Sequence, residues 1–112
     1  MDIWFGTSKA SKLFNSRTKL VKKHGDRMAD LIEERLASLR ACQNFQEAFV
    51  VPGRLHPLSG SGDGWFAMDL VHPFRLVIAP GNDPVPVKEG AENEIDFEKV
   101  DEAEVIGVID YH

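Results

Sequence analysis

The hydrophobic period changes once along this chain, and that change constrains the fold more than any single motif. In the first half, apolar residues recur at helical spacing. Ala10, Leu13, Phe14, Leu20 and Val21 form one such stretch, and Met28, Leu31, Ile32, Leu36 and Leu39 a second. From Trp65 onward the period is two. Phe66, Met68 and Leu70 alternate with Trp65, Ala67 and Asp69; Phe74, Leu76 and Ile78 alternate with Arg75, Val77 and Ala79. A striped helix and a one-faced strand each bury their apolar side against something. Helices packed on one face of a sheet satisfy both, an α+β arrangement.

Punctuation sets the predicted boundaries. Ile3-Trp4-Phe5 reads as a first strand, and Thr7 or Ser8 can cap the helix that follows. His24-Gly25-Asp26 stops that helix and starts the next, so the two fold back as a helical hairpin. Residues 44–51 leave room for a short turn of helix before Pro52-Gly53 breaks the chain. Ser59 to Gly64 is a glycine-rich turn with no Lys-Ser/Thr after it, so it is no phosphate loop. Trp65–Val71 and Phe74–Ala79, joined at His72-Pro73, read as a β-hairpin. Residues 80–94 read as an exposed loop, with Phe97 and Val100 pinning its far end, and Val105–Tyr111 as the last strand. The predicted order is β-α-α-β-β-β: a helical hairpin packed on a mainly antiparallel four-stranded sheet, in a single domain of residues 1–112.

Composition narrows the classes. The N-terminus lacks the basic and apolar regions of a signal peptide, and no run has the length of a membrane span. The single cysteine, Cys42, sits in a helix seam and reads as a small buried apolar residue. A reduced, cytoplasmic chain without membrane attachment is the expectation. None of the four histidines pair at helical metal-ligand spacing, so no metal or other cofactor is expected. No Gly-x-Ser-x-Gly elbow supports a serine hydrolase. The net charge of −5 is uneven. Residues 1–40 carry nine basic and five acidic side chains, a balance of +4, and the remainder is −9.

The polar residues that stand out are Asp110-Tyr111-His112, His56, Arg75 and Arg54. On a strand, Asp110 and His112 share one face and Tyr111 takes the other. The same three residues would also serve as a solvated strand end. Two imidazoles with arginines nearby suit phosphodiester cleavage. A base takes the ribose 2′-OH proton, an acid protonates the leaving 5′-oxygen, and guanidinium stabilises the phosphorane. Asp110 can orient an imidazole, and Tyr111 can stack on a base.

Three segments carry a family resemblance. Pro52-Gly53-Arg54-Leu55-His56-Pro57-Leu58 with its glycine-rich turn, Phe74-Arg75-Leu76-Val77, and Val108-Ile109-Asp110-Tyr111-His112 resemble the HigB-like branch of the RelE/ParE superfamily of type II toxins. The resemblance implies a RelE-like fold and a ribosome-dependent endoribonuclease that cuts mRNA in the ribosomal A site. It implies His56, Arg75, Asp110, Tyr111 and His112 as the catalytic set, with Arg75 on the phosphate. Arg54, Lys9 and Lys12 are the further phosphate-binding candidates. Implied partners are a cognate helix-turn-helix antitoxin, in a possible toxin–antitoxin heterotetramer, and the ribosome with its mRNA. The sequence departs from the strongly basic composition of ribosome-dependent members, with pI ≈ 5.3. That departure keeps a second reading open: a non-catalytic module with a toxin fold that binds gyrase or only its antitoxin.

Overall fold

The computed structural model describes residues 1–58 and 64–110. In chain order the elements are β1 (Asp2–Phe5), α1 (Ser8–Phe14), α2 (Arg17–His24), α3 (Asp26–Ala41), α4 (Phe45–Ala48), β2 (His56–Pro57), β3 (Phe66–Asp69), β4 (Phe74–Pro80), β5 (Val87–Lys88), β6 (Ala91–Ile95), a 3-10 turn (Phe97–Lys99) and β7 (Glu102–Asp110). The main sheet has the order β1-β7-β4-β3-β2. β1 runs parallel to β7, and the other pairings are antiparallel. The protein is an α+β fold with helices layered on one face of that sheet.

Three expectations are corrected. The first helical stretch is two helices, because Asn15-Ser16 supplies both a stop and a start. The Asn15 side-chain amide donates to the Ser11 carbonyl at 2.9 Å, and Ser16 Oγ accepts from the Lys19 N–H at 3.2 Å. Thr7 caps α1 in the same way, accepting from the Ala10 N–H at 3.1 Å. Second, the sheet has five strands rather than four, though it is mainly antiparallel as expected, with one parallel pairing. His56 and Pro57 form a two-residue edge strand, with His56 opposite Ala67 and Pro57 opposite Phe66. Third, residues 80–94 are not all loop. Val87–Lys88 pairs with Ala91–Ile95 in a small separate hairpin. Its strands carry few apolar residues, so the alternation that marks a half-buried strand is weak there.

The helix-covered face holds the core. Leu20, Ile32, Leu39, Phe45, Met68, Leu76, Ile78, Val100 and Val105 are fully buried in it, and Cys42 is buried beside them. Phe97 does pin the far end of the 80s segment. Its ring meets those of Phe45, Phe49 and Phe66 at centroid separations of 5.8, 5.0 and 5.6 Å. The short helix left open at residues 44–51 is α4, capped by Asn44, and it delivers Phe45 to this cluster. Among the described residues no helix is long and apolar enough to cross a membrane.

The second sheet face carries a small apolar cluster of Leu58, Ala67 and Val77, flanked by Ile106 and Ile109. No described helix contributes to it. β7 is bulged there: Val77 faces Gly107 and Ile78 faces Val105, which leaves Ile106 as the extra residue. This face carries His56, Asp69 and Arg75.

Candidate active site

Strand alternation sends Asp69 and Arg75 to the same side as Ala67 and Val77, away from the helices. His56, opposite Ala67, shares that side. Arg54 reaches it from the turn before β2, where Gly53 and Arg54 both have positive φ, 117° and 54°. A left-handed conformation costs a non-glycine residue about 1–3 kcal/mol and is held by surrounding contacts. Here the contacts are plain. Asp69 N–H donates to the Gly53 carbonyl at 2.8 Å, and the Arg54 side chain clasps the Asp69 carboxylate through Nε at 2.9 Å and Nη2 at 3.2 Å. A side chain at Gly53 would collide with Arg35, whose Nε donates to the Asp69 carbonyl at 3.0 Å.

Asp69 is thus the hub. Its Oδ1 also lies 3.0 Å from Arg75 Nε. That contact is an ion pair without hydrogen-bond alignment, since the buried Arg75 Nε–H has no acceptor in line among the described residues. Arg75 Nη1 donates to the Phe74 carbonyl at 3.0 Å, which fixes the guanidinium against its own strand. The Arg54 hydrogen bonds hold the Asp69 carboxyl below its ordinary range. Partial burial opposes them, and the charges of Arg54, Arg75 and His56 assist them.

His56 Nδ1 lies 2.6 Å from the Arg54 carbonyl oxygen. A carbonyl only accepts, so Nδ1 carries a proton and donates to it. In the neutral ring Nε2 then holds the lone pair, the arrangement a general base needs. One turn of chain therefore sets the imidazole tautomer and places a guanidinium beside it.

The sequence-predicted residues do not all join this group. His56, Arg54 and Arg75 are brought together. Asp110 stands opposite Phe74, one step out of phase with the Arg75–Ile109 pair, and so lies toward the helix-covered side. Lys9 and Lys12 lie on α1, in the helical layer, where Lys9 borders a groove with Val108. Tyr111 and His112 lie outside the described residues. His24, at the end of α2, has its imidazole pKa lowered by burial and then by Lys23. Burial raises the Cys42 thiol, and Glu47 adds to it. No group of three His, Cys, Asp or Glu side chains among the described residues is placed to hold a metal ion.

The chain matches no known protein family, no curated protein and no solved structure. The site must be read from its own chemistry. Asp69 is the residue that sequence reading missed; it entered only as an outward-facing position on an alternating strand. The signal lay in the hairpin. Counting outward from the His72-Pro73 connection places Asp69 across from Arg75, an acid–base pair on the solvent side.

Proposed function

We propose that the chain is the toxin of a type II toxin–antitoxin system, a ribosome-dependent mRNA endoribonuclease of the RelE/ParE type, with a helix-turn-helix antitoxin as its partner. The observation that carries this reading is the convergence of His56, Arg54 and Arg75 on the sheet face that no described helix covers. In the reaction, His56 Nε2 takes the 2′-OH proton and the freed oxygen attacks phosphorus. The 5′-oxygen leaves with a proton from a second acid, and a 2′,3′-cyclic phosphate remains. The guanidinium of Arg54, more than half exposed and with Nη1 uncommitted among the described residues, is positioned to meet the phosphate. With His56 as the base, we give the acid role to His112, the second imidazole of the resemblance's catalytic set. Arrest of bacterial growth by the wild-type chain, lost in a folded His112→Ala variant, tests the assignment. Arrest by both would remove His112 from the mechanism.

One observation favours the second reading, a toxin-fold module that binds a protein without cleaving RNA. Asp69 already neutralises part of both arginines, and the chain as a whole is acidic. Phosphate would have to compete with an ion pair that is already made. Gyrase inhibition in a supercoiling assay, with mRNA left intact, would select that reading.

A further inference from the structure

The described cations divide sharply by layer. Arg54 and Arg75 are held by Asp69, Lys88 by Glu94 and Lys99 by Asp96. In the helical layer Arg17 pairs with Asp30 and Glu33, and Arg35 with Glu34. Lys9, Lys12, Lys19, Lys22, Lys23, Arg27 and Arg40 make no side-chain ion pair or hydrogen bond with any described residue, and all lie on α1, α2 or α3. Uncompensated positive charge in an acidic chain is thus confined to one side.

Part of it converges on a cavity. Between α1, the end of α2 and the bulge of β7 lies an open groove of about 240 Å³. Its floor is apolar, with Leu13 and Phe14 on one side and Val108 on the other, and the bulge residues Ile106 and Gly107 at its edge. Lys9, Lys23 and His24 stand at its rim, and no acidic side chain lines it. A bare phosphate has no use for an apolar floor, and a solvated lysine face needs no cavity. The combination fits a ligand with both parts. Ligand pockets for drug-sized molecules hold roughly 300–1,000 Å³, so this one suits a smaller compound rather than a partner helix.

We infer that this groove binds a small amphipathic carboxylate, its chain or ring on Leu13, Phe14 and Val108 and its anionic head between Lys9 and Lys23. The site is separate from the Arg54–Asp69–Arg75 group on the other face of the sheet and does not depend on the endoribonuclease reading. A bound anion would also relieve the cost that burial and Lys23 now place on protonating His24.

Decanoate titrated into the isotopically labelled full chain, read by amide NMR shifts, tests this. Saturable shifts are expected at Ala10, Leu13, Ile106, Gly107 and Val108. Decanol, of equal length but uncharged, should bind about tenfold more weakly or worse, because it makes no charge-assisted contact. The double variant Lys9→Gln/Lys23→Gln should lose about the same factor for decanoate and little for decanol. Ala10→Leu, which keeps a good helix former in α1 and fills the groove, should abolish both. Shifts that scatter without saturating would overturn the inference. So would equal affinity in the double variant, or binding unchanged by Ala10→Leu in a protein whose remaining spectrum is intact.

Discussion

Asp69 and Arg75 face each other across the β3–β4 hairpin, with the Asp69 carboxylate 3.0 Å from Arg75 Nε. Arg75 is nearly buried, Asp69 about one-third exposed, and the exposed Arg54 closes the group from outside. The pair therefore joins the hairpin to the turn that carries His56. Its loss should be felt in stability as well as in any chemistry on this face.

Asp69→Asn keeps the shape and removes the charge. It should destabilise the protein by about 1–3 kcal/mol, the range for losing the ionised partner of a charge-assisted hydrogen bond. Urea denaturation measures this. A variant as stable as wild type would mean the arginines find solvent at no cost.

The same carboxylate predicts a pH dependence with a definite sign. Its folded pKa lies below the unfolded value of about 3.9. The stability it contributes is therefore complete well above pH 4 and is lost as pH falls through the lowered folded value. Unfolding free energies of wild type and Asp69→Asn should differ most near neutrality and converge in acid. A gap that widens on acidification would contradict the assignment.

Core substitutions should rank by burial. Phe45 is fully buried against the three rings of Phe49, Phe66 and Phe97, and Phe45→Ala should cost about 3–5 kcal/mol. Leu36, also buried, should cost about 2–5 kcal/mol as Leu36→Ala. Leu31 sits on the same helix but is only partly buried, so Leu31→Ala should cost less. Denaturant midpoints for the three variants test the order.

Where one period ran unbroken, sequence reading and structure agree. Met28, Ile32, Leu36 and Leu39 lie buried along α3, and Phe66 to Asp69 and Phe74 to Pro80 pair as a hairpin. The reading failed where two neighbouring polar residues outweighed periodicity, as Asn15 and Ser16 do between α1 and α2. It also failed where a strand is too short to show a period, as at His56-Pro57. At the site, His56, Arg54 and Arg75 were legible as residue types suited to phosphate chemistry. Their binding to Asp69 was not, because register across a hairpin and the left-handed turn at Gly53-Arg54 are set by tertiary contacts.

The most direct test of the central claim is cleavage of an mRNA programmed into a purified translation reaction, with wild type beside His56→Gln. Wild type should cut only when ribosomes are present. His56→Gln should cut at least ~100-fold more slowly, the lower range for removing a general base. Cuts of equal rate by the folded variant, or none by the folded wild type, would contradict that claim.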